Sequence, residues 1–140
     1  MKVAVSACLL GENCKYDGGN NLDPELIEFL KDKEYFTFCP ETEGGLPTPR
    51  VPVELRDGRA VNRDGEDVTE QFEKGAKLAL EKFRSENPDI AVMKSRSPSC
   101  GPNGIYDGSF TGKLIPGCGF TAKILKEHGY RLLPSKKQFT

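Results

Sequence analysis

The sequence predicts a single α/β domain, a Rossmann-like three-layer sandwich with a mostly parallel sheet of about four strands plus a small hairpin excursion. Short apolar runs alternate with helical patterns along the chain, which is typical of buried parallel strands joined by crossover helices. A chain of 140 residues, of which 36% are hydrophobic, is long enough to build one such core. No linker or long repeat divides residues 1–140, so we expect one domain.

The first part of the chain supplies two predicted strands and a helix between them. Val3–Ala7 is small and apolar throughout, as expected of a strand that is buried on both faces. Asp23-Pro24-Glu25 predicts a helix start, because an N-cap residue, a proline and an acidic residue follow one another. The predicted buried face of this helix consists of Leu26, Ile27, Phe29 and Leu30. Tyr35–Phe38 is the second strand, and Pro40 ends it.

The middle of the chain is expected to leave the sheet and then return to it. Residues 42–66 are rich in proline and glycine, and Asp57-Gly58 between two apolar stretches predicts a hairpin that forms a flap over the sheet rim. Thr69–Glu86 has the apolar spacing of an amphipathic helix. Its predicted buried stripe is Phe72, Ala76, Ala79, Leu80 and Phe83.

The last part of the chain completes the alternation of strands and helices. Ile90–Met93 is the third predicted strand. A glycine-rich loop follows it, and a helix is predicted from about Phe120 to His128, ending at Gly129. Tyr130–Leu133 is the fourth predicted strand. Four strands alternating with three helices favour a mostly parallel sheet.

Charge and hydropathy exclude several kinds of partner. The formal net charge of -1 gives no reason to expect nucleic acid or an anionic membrane surface. No stretch is long and apolar enough to span a bilayer, and the run at Val3–Ala7 is too short for a signal peptide. These features predict a cytoplasmic protein.

Three of the five cysteines come shortly after predicted strands. Because the carboxyl ends of parallel strands meet at one edge of a sheet, Cys8, Cys39 and Cys100 are expected to converge there. Thiolates are soft ligands suited to zinc, copper(I) and iron–sulfur clusters. Cys14 or Cys118 could supply a fourth ligand, which would make the site structural or electron-transferring. The alternative is that each cysteine is a small buried apolar residue.

Two polar residues near these cysteines are candidates for proton transfer. Glu41 stands two residues after Cys39, where its carboxylate could act as a general base, although a helix or loop cap explains it equally well. Ser97 and Ser99 flank Pro98 before Cys100, and a hydroxyl there could donate to a substrate or simply belong to a turn.

Several other residues near the expected rim have both structural and functional explanations. Arg50, Lys94 and Arg96 could offset thiolate charge or remain solvated surface cations. Tyr16-Asp17-Gly18 and Tyr106-Asp107-Gly108 each follow a strand-end cysteine, and Asp-Gly favours a turn.

Four segments resemble the thiouracil desulfurase-like family. They are Val5-Ser-Ala-Cys8-Leu-Leu-Gly11 with Cys14-Lys-Tyr-Asp-Gly18, Cys39-Pro-Glu-Thr-Glu-Gly-Gly-Leu-Pro-Thr-Pro-Arg50, Lys94-Ser-Arg-Ser-Pro-Ser-Cys100-Gly101, and Tyr106-Asp-Gly-Ser-Phe110. Together these segments extend the resemblance over essentially the whole chain.

The resemblance implies an enzyme with a [4Fe-4S] cluster that three cysteines hold and that keeps one iron open. Carried onto this sequence, the ligands are Cys8, Cys39 and Cys100. The resemblance further implies hydrolytic loss of sulfur from a thio-substituted pyrimidine, with sulfide as a product. Glu41 would activate water, and Ser97 would relay a proton to the substrate. The expected substrate is a free thio-base or another small thio-compound.

Two other functions are compatible with the cysteine pattern. A non-catalytic iron–sulfur or zinc module would use a fourth cysteine ligand and leave no place for a substrate. A thiol redox protein would use Cys14 or Cys118 as the resolving partner, although the sequence lacks a C-x-x-C pair.

Overall fold

A computed structural model describes residues 1–135 of the chain. The strands in chain order are β1 (Lys2–Ser6), β2 (Glu34–Phe38), β3 (Val53–Arg56), β4 (Arg59–Asn62), β5 (Ile90–Met93), β6 (Gly104–Tyr106), β7 (Leu114–Pro116) and β8 (Leu132–Pro134). The helices are α1 (Pro24–Leu30), α2 (Pro40–Glu43), α3 (Thr69–Glu86) and α4 (Phe120–Glu127), and a 3₁₀ turn covers Ala7–Leu10.

Four strands form a parallel sheet in the order β2-β1-β5-β8, which confirms the predicted fold class. Val5 of β1 pairs with Thr37 of β2 on one side and with Val92 of β5 on the other. The chain moves outward from β1 to β2 and then crosses back to β5. The strand order therefore reverses between β1 and β5, the place where open α/β sheets bind ligands.

Helices cover both faces of the sheet and make the three layers. On one face, Phe83 of α3 meets Phe38 of β2 and Tyr130 edge to face, with ring centroids 5.2 and 5.1 Å apart. The apolar stripe predicted for α3 is buried in full. On the other face, Leu26 and Leu30 of α1 pack against β1.

The predicted buried face of α1 is half wrong. Leu26 and Leu30 are buried, but Ile27 and Phe29 are 39% and 42% exposed. A helix of seven residues presents one narrow stripe to the sheet, so only residues one turn apart reach the core. The ammonium group of Lys33 lies 4.1 Å from the Phe29 ring centroid and covers part of that ring.

The remaining strands form two small hairpins. β3 and β4 pair antiparallel around Asp57-Gly58, as predicted, and both turn residues have positive φ, as this tight turn requires. The pairing of β6 with β7 was not predicted, because glycine and proline obscure its pattern. Strand ends differ from the predictions by one or two residues, since Ala7 begins the 3₁₀ turn and β8 starts at Leu132. Within residues 1–135, no helix is long and apolar enough to cross a membrane.

Candidate functional site

A cavity of about 370 Å³ opens at the carboxyl ends of the parallel strands. Cys8, Cys39 and Cys100 all line it, as their positions after β1, β2 and β5 predict. Glu41 and Ser97 line the same cavity. The structure therefore brings together all five residues that were predicted to form the site.

Local hydrogen bonds fix the first two cysteines. Cys8 lies in the 3₁₀ turn that follows β1, and its carbonyl accepts the backbone N–H of Asn21 at 2.9 Å. Cys39 is the N-cap residue of α2, and its own N–H donates to the side chain of Glu43 at 2.6 Å. Because Pro40 occupies the first helical position, the chain turns sharply directly after Cys39.

The third cysteine is held by the start of α4. Backbone N–H groups of Phe120 and Thr121 donate to the carbonyls of Pro98 and Ser99, each at 2.9 Å. Gly119 makes this approach possible, since a Cβ there would lie 2.5 Å from the Ser99 carbonyl carbon. Cys100 is consequently rigid and buried, with 4% of its surface exposed.

Each of the three sulfur atoms has a hydrogen-bond donor of its own. The side-chain amide of Asn21 donates to Cys8 Sγ at 3.4 Å. A hydrogen bond from the Cys14 side chain lowers the pKa of Cys39, whose sulfur lies 4.0 Å from the Cys14 carbonyl oxygen. Ser99 Oγ lies 3.7 Å from Cys100 Sγ, and hydrogen bonds from Ser6 and Ser99 both favour the Cys100 thiolate. These polar groups favour negative charge on all three sulfur atoms.

Burial opposes that charge at all three cysteines and dominates at Cys8 and Cys100. It raises the pKa of Cys8 and of Cys100, so both are neutral thiols at pH 7 when nothing is bound. The hydrogen bond from Cys14 instead lowers the pKa of Cys39. Binding of a metal group by these cysteines would therefore release protons.

Glu41 is held at both carboxylate oxygens. Arg50 reaches Oε1 through Nε and Nη2, each at 3.2 Å, and the two side chains are only 14% and 6% exposed. Ser99 Oγ donates to Oε2 at 2.9 Å. The carboxylate that bonds the N-cap residue of α2 is that of Glu43, which accepts the N–H of Cys39, and not that of Glu41. This arrangement favours a functional position for Glu41 over the capping explanation.

Ser97 and Ser99 form a short hydroxyl chain that ends on Glu41. Ser97 Oγ accepts the backbone N–H groups of Ser99 and Cys100, at 3.1 and 3.0 Å. It lies 3.0 Å from Ser99 Oγ, so Ser97 can donate to Ser99 while Ser99 donates to Glu41. The sequence offers both hydroxyls as candidates, and the family resemblance implies Ser97 as the proton relay, yet it is Ser99 that makes the direct contact with the carboxylate.

The surrounding residues complete the wall of the cavity. Arg50, Lys94 and Arg96 all line it, and burial lowers the pKa of Lys94. Pro52, Val53 and Glu54 reach it from the β3–β4 hairpin, which therefore acts as the predicted flap. Tyr16 and Tyr106 line it next to their Asp-Gly turns, in which Asp17 and Asp107 accept backbone N–H groups at 2.9 Å.

The two further cysteines differ in position. Cys14 lines the cavity beside Cys39. Cys118 does not line it, and its sulfur contacts the Pro102 carbonyl and the Lys126 ammonium group, each at 3.3 Å. Among the residues that the structure describes, no three His, Cys, Asp or Glu side chains are grouped closely enough to hold a single metal ion.

The fold and the cavity define an α/β protein with a cysteine-lined site at the strand-order reversal of a parallel sheet. A sequence model of the 2-thiouracil desulfurase family matches residues 3–137. The chain belongs to this family.

Two relatives support the assignment. An uncharacterized protein of Bacillus subtilis strain 168, YbbK, is 38% identical over 141 residues, covering 94% of this chain and 93% of the relative. The solved structure of the [4Fe-4S]-dependent thiouracil desulfidase TudS superposes with a TM-score of 0.90 at 39% identity. That alignment covers 97% of this chain and 91% of TudS.

Proposed function

We propose that this protein is a desulfidase that hydrolyses a thio-substituted pyrimidine with the help of a [4Fe-4S] cluster. The observation that carries this proposal is one cavity lined by Cys8, Cys39 and Cys100 together with the Glu41–Ser99–Ser97 chain. Membership of the 2-thiouracil desulfurase family and similarity to TudS support the substrate class and the cofactor.

The residues present fit such a cluster. Cys8, Cys39 and Cys100 supply three thiol ligands on three separate loops, and each sulfur accepts a hydrogen bond that stabilises its anionic form. Cluster ligands bind different iron atoms, so they need not converge on one point as the ligands of a single ion do. Three protein ligands leave one iron of four without a protein ligand.

The chemistry of the reaction is the replacement of sulfur by oxygen. A thiocarbonyl carbon and water give a carbonyl group and hydrogen sulfide, with no net oxidation or reduction. When bound, the cluster would supply a Lewis acid that withdraws electrons from the thiocarbonyl group. The protein must then remove a proton from water and deliver a proton to the leaving sulfur or to the ring.

Glu41 and the two serines are suited to that proton transfer. The carboxylate of Glu41 accepts a proton from water as the oxygen attacks carbon. Arg50 prevents the carboxylate from rotating away, because it contacts Oε1 through two nitrogen atoms. Once Glu41 is protonated, the hydroxyl chain can reverse, with Glu41 donating to Ser99 and Ser99 to Ser97, so that a proton passes from the carboxylate to the substrate.

One observation favours a second candidate function. Cys14 and Cys39 both line the cavity, and Cys39 Sγ lies 4.0 Å from the Cys14 carbonyl oxygen, so the two residues are neighbours that could form a redox-active pair in a thiol oxidoreductase. Such a protein would cycle between dithiol and disulfide and would need no iron.

Anaerobic reconstitution with iron and sulfide distinguishes the two functions. We expect about four irons per chain and sulfide release from 2-thiouracil. Cys8→Ala, Cys39→Ala and Cys100→Ala each lose the cluster, whereas Cys118→Ala serves as the matched control and keeps it. A fully loaded protein that leaves 2-thiouracil and 4-thiouracil unchanged would contradict the proposed substrate class. Thiol–disulfide exchange activity without iron would favour the oxidoreductase.

A further inference from the structure

Asn21 contacts Cys8 through both its backbone and its side chain. Its N–H donates to the Cys8 carbonyl at 2.9 Å, and its side-chain amide donates to Cys8 Sγ at 3.4 Å. The residue is 7% exposed and lines the cavity. The backbone bond holds Asn21 against Cys8 and so places its side-chain amide beside Cys8 Sγ.

The contacts at the other two sulfur atoms are longer. Ser99 Oγ lies 3.7 Å from Cys100 Sγ, and the same hydroxyl donates to Glu41 at 2.9 Å. Cys39 Sγ lies 4.0 Å from the Cys14 carbonyl oxygen. Asn21 therefore makes the shortest of these three contacts, and the sequence did not predict that it would act on a sulfur atom.

We propose that Asn21 holds the sulfur of Cys8 in place and thereby contributes to the reduction potential of the cluster. This inference rests on the proposed function, since it requires that Cys8 is a cluster ligand. Asn21 is a positioning residue, because it acts through Cys8 and not on the substrate.

The physical reason is the charge on sulfur. A hydrogen bond to a ligating sulfur withdraws negative charge from the cluster and so favours the more reduced form, which carries one more electron. Loss of the bond therefore makes the potential more negative. The same bond orients the ligand, and loss of an outer partner typically lowers metal affinity by about 10–100-fold.

Two substitutions and one control test the role of Asn21. Asn21→Leu keeps a similar volume without a donor, and Asn21→Asp keeps the shape but places an acceptor and a negative charge beside Cys8. Asn20→Leu is the matched control, because Asn20 is exposed and bonds Asn13 instead of a cysteine. Circular dichroism checks that each chain is folded before anaerobic loading. An EPR-monitored redox titration and the rate of iron release to a chelator are then measured.

Both Asn21 variants are expected to release iron about tenfold faster than wild type. The equilibrium constant for reduction of the cluster should fall about tenfold, which makes the potential more negative by about 59 mV for a one-electron couple. Asn21→Asp should show the larger shift. Asn20→Leu should match wild type. Folded Asn21 variants with the wild-type potential and iron-release rate would overturn the role proposed for Asn21 but not the proposed function. A wild-type chain that takes up no cluster would overturn the proposed function instead.

Discussion

Ser99 Oγ donates a hydrogen bond of 2.9 Å to Glu41 Oε2, joining two residues that are 58 positions apart in the sequence. The bond connects the segment after β2 with the loop after β5, so it crosses the cavity between the strand ends. Ser99 is 2% exposed, and its hydroxyl places Oε2 while Arg50 holds Oε1. The position of the Glu41 carboxylate therefore depends on the conformations of both segments.

Replacing Ser99 by alanine should interrupt the route between Glu41 and Ser97. Ser97 keeps both of its backbone contacts, so the loop should retain its conformation. We expect kcat for sulfide release to fall by about 100-fold, the lower end of what a positioned acid or base contributes. Ser99→Thr retains the hydroxyl and should restore much of the rate, and the exposed Ser109→Ala is the surface control. Full activity in Ser99→Ala would show that protons reach the substrate by another route.

Replacing Arg50 by alanine should destabilise the protein through Glu41. It leaves a carboxylate that is 14% exposed without its cationic partner, and removing one member of a buried ion pair costs about 3–5 kcal/mol. The control is Arg59→Ala, whose pair with Asp67 is 58% and 44% exposed and is therefore screened by solvent, so a much smaller loss is expected. Urea unfolding of cluster-free protein measures both changes. Equal losses in the two variants would contradict the assignment of Arg50 as the partner that holds Glu41.

Much of the architecture is predictable because it depends on local patterns. Apolar strands, the N-cap signal at Asp23 and the stripe on α3 each act over a few residues, and all three are present in the structure. The three strand-end cysteines also converge, because parallel-sheet topology alone places them at one edge. The four motif segments contribute further, because they already associate Glu41 and Ser97 with these cysteines.

Contacts between distant loops were not predictable in the same way. The donation from Asn21 to Cys8 and that from Ser99 to Glu41 depend on how separate loops pack, and no spacing in the sequence encodes them. The exposure of Ile27 and Phe29 has a related cause, since hydrophobicity does not reveal how much of a short helix faces the sheet.

A substitution at Gly75 should test how α3 supports the site. A Cβ at this position would lie 2.0 Å from the Pro40 carbonyl oxygen, directly beside the segment that carries Cys39 and Glu41. Glycine to alanine in a helix interior normally stabilises by about 0.5–1 kcal/mol. Here we expect a loss of about 1–3 kcal/mol, because α2 must shift. Thermal or urea unfolding shows whether the substitution stabilises or destabilises the protein, and Lys74→Ala at the exposed neighbouring position is the control. A stabilised Gly75→Ala protein would show that α2 moves freely.

The thiol of Cys39 should be more acidic in the cluster-free protein than those of Cys8 and Cys100, which line the same cavity. The hydrogen bond from Cys14 stabilises its thiolate and lowers its pKa, whereas burial raises the pKa of Cys8 and Cys100. Because alkylation requires the thiolate, Cys39 should react with iodoacetamide at a pH where an ordinary thiol, with a pKa of about 8.5, is still slow. Peptide mapping by mass spectrometry across a pH series identifies the modified residue. In Cys14→Ala the donor is lost, so the Cys39 curve should move to higher pH. A curve that does not move would mean that another group stabilises the thiolate.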